Sequence, residues 1–207
     1  MPATDDQLDT PFRRAMLYVI EQLGEVGVMK LEKILYLADL EHYQRYGRKI
    51  TGARWVRQRL GPVAKSVLPS TRMMAGQEIS VSKAHVGDYT SDVYRPGPQP
   101  RFRPQLTTSE RAVLDQIIEL TRSITATDAA RITYETTPML ARLEIERREG
   151  HELLDEPLSF DRTDAETARV SRRNPTASES ARSTFKQAEL ARVADLVEAS
   201  VTRSAGR

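Results

Sequence analysis

The chain has 207 residues, with 31 Lys and Arg against 29 Asp and Glu, and no cysteine. That length holds one ordinary domain with an appendage; the missing cysteines exclude disulfides and thiol catalysis, as expected of a cytoplasmic protein. No apolar run approaches the ~18 residues of a membrane span, and the acidic start at Asp5 and Asp6 is unlike a signal peptide, so no membrane association is expected.

Aromatic residues are sparse and charges plentiful, so the core must rest on Leu, Ile, Val, Met and Ala, a composition that favours helices. Thr10 and Pro11 make a helix start, a capping hydroxyl followed by a proline whose missing donor costs nothing there. Phe12, Ala15, Met16, Val19, Ile20 and Leu23 then recur at helical spacing and Gly24 ends the element. A second helix is predicted over 28–46, stopped by Gly47. Residues 53–60 read as a short extended segment, and Pro62 is expected to open a third helix that Pro69 kinks or splits. Residues 79–83 and 92–95 read as two strands of a hairpin around Gly87 and Asp88.

Four prolines within 96–104 form a stiff connector. Thr107 with Glu110 then makes a capping box ahead of a helix striped by Val113, Leu114, Ile117 and Ile118. Shorter helices are predicted over 125–134 and 138–143. Beyond Leu158 the composition turns to Arg, Ser, Thr, Asp and Ala, a polar tail in which Leu190, Val193, Ala194, Val197 and Val201 mark one amphipathic helix. The expected fold is mainly α: a compact domain of five to seven helices with one small β-hairpin over 1–158, then a polar tail over 159–207.

The informative feature is a run of charge. From His42 to Gln77 there is no Asp or Glu, yet Arg45, Arg48, Lys49, Arg54, Arg57, Arg59, Lys65 and Arg72 all fall there. Such a surface attracts something negative; the plainer reading is that the cations solvate one face while their stems cover apolar surface. Trp55 sits among them. A lone Trp is ordinarily a core residue, but if exposed it would join Arg54, Arg57 and Arg59 in the residue types that dominate interface hot spots. Tyr36, Tyr43 and Tyr46 fall along one side of the second helix; packing accounts for Tyr36, whereas Tyr43 and Tyr46 stay open as partner contacts. The tail stripe through Leu190, Val193 and Val197 either folds back on the domain or docks into a partner's groove.

Chemistry is hard to find. The run from Gly61 to Ser66 lacks the second glycine of a phosphate-binding loop, and Pro62 removes a donor. His42, His85 and His151 are scattered; Asp39 and His42 could share a helix face, as a hydrogen-bonded pair in solvent rather than a metal site. Glu32, Asp39 and Glu41 are expected to balance Lys30, Lys33 and Arg45 on the helix surface. No cofactor, metal or enzymatic activity is expected.

Three ordered motifs carry a resemblance: Lys30-Leu31-Glu32-Lys33-Ile34-Leu35-Tyr36, Tyr46-Gly47-Arg48-Lys49-Ile50 and Gly61-Pro62-Val63. In this order they resemble the Panacea domain of SocA-like antitoxins, over roughly residues 10–143. Tyr134 and Met139 stand where that family often has His and Trp. The resemblance implies an antitoxin that binds and masks a toxin protein encoded by a neighbouring gene; it also allows an adaptor delivering a toxin to a protease. The alternative from another class is a nucleic-acid-binding regulator using the basic stretch 45–72, whose binding would fall steeply with salt.

Overall fold

The computed structural model describes residues 10–86, 89–100 and 104–161. The tail stripe with Leu190, Val193 and Val197 lies outside the described residues. Helix α1 (Pro11–Leu23) starts where the sequence places it: the Thr10 hydroxyl accepts from the Arg13 N–H at 3.3 Å, and Gly24 closes it by donating to the Ile20 carbonyl. A two-residue strand β1 (Val26–Gly27) leads into α2 (Val28–Tyr46), ended by Gly47 in the left-handed region. Helix α2 is the axis of the fold. It packs against α1 and against elements that come later in the chain, so it is buried nearly all round, polar residues included.

Strands β2 (Trp55–Gln58) and β3 (Gly61–Ala64) pair antiparallel across the two-residue loop Arg59 and Leu60. Gly61 is required here: its φ is +95°, and a Cβ would lie 2.8 Å from the Thr133 hydroxyl. Pro62 therefore lies in a strand, opposite Arg57, and does not open a helix. The helix comes later, as α3 (Val67–Met74). Pro69 sits in its first turn, where an N–H has no intrahelical partner to lose, so it neither kinks nor splits the element.

The hairpin β4 (Ile79–Val86) and β5 (Tyr89–Pro96) is longer than expected, and β1 adds to β5 through Val26 opposite Tyr94, giving the order β1-β5-β4. Helix α4 (Thr108–Thr121) has the predicted capping box of Thr107 and Glu110. The Thr125 hydroxyl caps α5 (Ala126–Tyr134), and α6 (Thr137–Glu149) runs well past Leu143 to Gly150.

The expectation of a mainly α fold with one hairpin is thus corrected. Among the described residues six helices accompany five strands in two small antiparallel sheets, a mixed α/β architecture. Two signals hid the extra strands. Pro62 reads locally as a helix start, and β1 is too short to show a period before its distant partner pairs with it.

Candidate functional site

The polar residues of α2 point inward and tie the helix to the basic stretch. Lys33 is fully buried, and its ammonium donates to the Pro62 carbonyl at 2.8 Å, fixing β3 against the helix. Asp39, also buried, accepts from the Thr51 amide at 2.8 Å, from the Thr51 hydroxyl, and from the Trp55 indole N–H at 2.8 Å. Burial pushes its carboxyl above the ordinary range, and those hydrogen bonds pull it back. Asp39 and His42 are not a solvated pair. His42 is buried and donates from Nδ1 to the Arg48 carbonyl at 2.7 Å, while Nε2 faces the Ser109 hydroxyl.

Trp55 is wholly buried, its ring edge-on to Tyr36 at 5.5 Å. Tyr36 in turn shares a hydrogen bond of 2.8 Å with the Thr136 hydroxyl. Arg57 is only 4% exposed. Its Nη2 donates to Glu146 Oε2 at 3.2 Å, its Nε lies 3.1 Å from Oε1, and its guanidinium stands 5.5 Å from the Tyr134 ring centre. The strand is covered on both faces, so Trp55, Val56 and Arg57 are all buried, while Arg54 before the strand and Arg59 in the loop after it stand in solvent. Trp55 and Arg57 are therefore withdrawn as surface contacts. Tyr46 is half exposed and tilted against His42, and Tyr43 is partly buried against Phe160.

The basic stretch is not bare. Arg45 pairs with Glu41, Arg48 with Glu110, Arg57 with Glu146, Arg59 with Glu152, and Lys65 with Asp155. Lys49 donates to the Ala53 carbonyl at 2.8 Å. Three of these acids belong to residues 146–155, which fold back over the cations. The packing continues past Leu158 to Phe160, whose ring is buried against Tyr36 and Tyr43.

The family described as antitoxin SocA-like, Panacea domain, matches residues 31–138, just over half of the chain. The chain belongs to that family. No curated protein and no solved structure matches it. The structure explains the Panacea signature as scaffold. Lys33 holds Pro62 of the Gly-Pro-Val turn, Gly61 leaves room for Lys33 and Thr133, and Gly47 ends the central helix.

Sequence reasoning passed over Glu146, Glu152, Asp155 and Phe160, which complete this region. A local signal was present: Glu152, Asp155 and Glu156 stand close together just before the apolar Leu158 and Phe160. No described helix is long and apolar enough to cross a membrane, and no group of three His, Asp or Glu among the described residues could hold a metal.

Burial also sets a pH dependence. It pushes Glu32 up to about 7 and Lys33 down to about 8, each opposed by the charge of the other. Between the ordinary carboxyl value of 4.5 and about 7, folded Glu32 keeps a proton that the unfolded chain releases. Its contribution to stability therefore falls as pH rises through that window. Lys33 acts in the opposite sense, its share recovering only as pH rises above about 8. Glu32→Gln is expected to cancel a loss of about 1–3 kcal/mol between about pH 5 and pH 8, read by urea unfolding at both values. An unchanged pH dependence in the variant would refute this assignment.

Proposed function

We propose that the protein neutralises a partner toxin, the product of a neighbouring gene, by binding it directly and masking its active surface. Membership of an antitoxin family carries this reading. It is supported by how the family's signature side chains are used: they hold the scaffold together, and an antitoxin that masks its target needs a complementary face rather than a catalytic one. The face we assign is the exposed end of the β2–β3 hairpin with its flanks: Arg54, Arg59, Leu60, which is 60% exposed, and Tyr46 nearby in sequence on α2. Trp55 and Arg57 support it from beneath. The tail residues Leu190, Val193 and Val197 are proposed as a second contact.

A nucleic-acid reading rested on unopposed cations, and five of those cations stand against carboxylates, which leaves little charge for phosphate. Masking and protease delivery separate in a purified two-component assay with toxin and no protease: masking inhibits the toxin there, delivery does not. In that assay the double reversal Arg54→Glu/Arg59→Glu is expected to weaken neutralisation by about tenfold or more, with the unfolding midpoint unchanged. Undiminished neutralisation would move the contact elsewhere. Arg57→Glu is no substitute, since reversing a buried charge tests folding.

A further inference from the structure

Residues 152–160 lie outside the family-matched region, yet they complete it: around 155–158 they bond to the open edge of β2 through an isolated antiparallel bridge. The Arg57 N–H donates to the Glu156 carbonyl, the Asp155 N–H to the Arg57 carbonyl and the Leu158 N–H to the Trp55 carbonyl, each at 2.9 Å. Val56 faces Pro157 in an antiparallel bridge. The side chains of this strap divide into two halves. The acidic half sets Glu152 3.1 Å from Arg59 and Asp155 3.1 Å from Lys65. The apolar half buries Leu158 and inserts Phe160 edge-on to Tyr36 at 5.6 Å and Tyr43 at 5.7 Å, beneath the Lys49 ammonium.

What receives the strap is therefore a strand edge with cations at one end and an aromatic pocket at the other, all within 31–138, while α6 adds Arg142, donating to the Pro157 carbonyl at 2.7 Å, and Glu146, accepting from the Leu153 N–H at 3.0 Å. Main-chain hydrogen bonds to such an edge accept any extended segment, and the flanking groups select its chemistry. The strap is also an imperfect occupant. Its ion pairs are largely solvent-exposed, with Arg59 at 74% and Glu152 at 49%, and exposed pairs hold weakly. Asp155, with a φ of +63° in the left-handed region that Asp adopts more readily than most side chains, interrupts the extended backbone and leaves Val56–Pro157 as the strap's one bridge to β2 among the described residues.

The geometry points to the β2 edge as a strand-acceptor site for an extended acidic segment of the partner protein, ending in a large apolar or aromatic side chain, which binds by displacing the strap. The identity of that partner as the toxin rests on the antitoxin reading; the acceptor edge does not. Because the strap is tethered, it competes at high effective concentration, so an incoming segment binds the intact chain only weakly unless it outmatches the strap.

The chain has no cysteine, so a pair of engineered cysteines gives an unambiguous lock. The bonding pattern makes Val56 and Pro157 a non-hydrogen-bonded pair, the kind whose Cα atoms lie closest and within disulfide reach. The probe is a fluorescein-labelled synthetic peptide with the sequence of residues 151–161, titrated by anisotropy against full-length protein. Leu158→Ala/Phe160→Ala, which loosens the strap, is expected to bind the peptide about tenfold or more tighter than the unmodified chain. The V56C/P157C pair introduced into the loosened Leu158→Ala/Phe160→Ala background is expected to lose peptide binding when oxidised and regain it when reduced, a comparison that holds sequence and fold constant. A peptide carrying Gln or Asn at positions 152, 155 and 156 should bind more weakly.

Peptide binding that is equal in the oxidised and reduced lock, or absent from both the loosened and the reduced proteins, overturns the acceptor site. So does a dimer by light scattering that forms through strap exchange between copies, which would make the edge a self-association surface. With the cognate toxin, the oxidised lock should fail to neutralise while the reduced form succeeds; equal neutralisation by both would exclude this edge from the toxin interface. A wild-type chain that neutralises nothing would instead sink the antitoxin reading, with the peptide titration still deciding the edge.

Discussion

Asp39→Ala is expected to destabilise the protein by about 3–5 kcal/mol, one of the two largest single-residue losses anticipated here. The carboxyl gathers the Thr51 amide, the Thr51 hydroxyl and the Trp55 indole N–H around one buried point on α2. Alanine leaves both N–H donors buried without an acceptor and adds a cavity beside the largest aromatic side chain of the core. Each orphaned donor costs about 1–3 kcal/mol, which sets the scale. Asn at the same position keeps one acceptor oxygen but turns an NH₂ toward the remaining donors, so Asp39→Asn should fall between the two. Trp55 is the only tryptophan in the chain, so its fluorescence in a urea titration reports unfolding from the site itself. A loss below about 1 kcal/mol for the alanine variant would mean that the loop finds other acceptors and that Asp39 is not its anchor.

The second large effect is expected at Glu146. Its carboxylate faces Arg57 through two contacts near 3 Å and also accepts from the Leu153 N–H at 3.0 Å, so one side chain joins β2, α6 and the start of the strap. Both partners are almost fully withdrawn from water. Glu146→Ala leaves the buried Arg57 guanidinium with only the half-exposed Glu152, 4.0 Å away, as a counter-charge, and loss of the close buried partner costs about 3–5 kcal/mol. Replacing both partners removes the uncompensated charge. Arg57→Met/Glu146→Leu should therefore recover most of the loss, because paired burial of ions gains little over apolar packing of similar volume. Thermal and urea unfolding of the two single variants and the double variant form the test. If the double variant is as unstable as Glu146→Ala, the Leu153 contact rather than the ion pair carries the effect.

These two sites also mark where sequence reasoning stopped. Asp39 and Glu41 read as surface charge balancing neighbouring lysines, because a helix start with Leu31, Ile34, Leu35 and Ala38 leaves the other positions free to face water. Glu41 does pair with Arg45 one turn on. Asp39 instead faces a loop twelve residues away, and nothing in the local pattern distinguishes the two. The same limit applied to Arg57. Its neighbours Arg54 and Arg59 are exposed as expected, and only the strand pairing turns Arg57 inward onto a glutamate 89 residues further along.

The sequence by itself determined the capped starts of α1, α4 and α5, the ends of α1 and α2, and the family. Thr10 with Pro11, the Thr107 and Glu110 box and the Thr125 cap are local devices, satisfied by backbone groups within three residues, so they can be read without knowing the rest of the fold. The Lys33, Gly47 and Gly61-Pro62-Val63 motifs were visible in the same way, as residue types at fixed spacing. Only the tertiary structure decided which cations are buried, that Pro62 is in a strand, and that residues 152–160 close the β2 edge. Those outcomes depend on partners such as Thr136 for Tyr36 and Glu152 for Arg59, each some ninety or more residues away. Desolvation and strand pairing are set when distant segments meet, whereas capping and helical periodicity are set within a turn of chain.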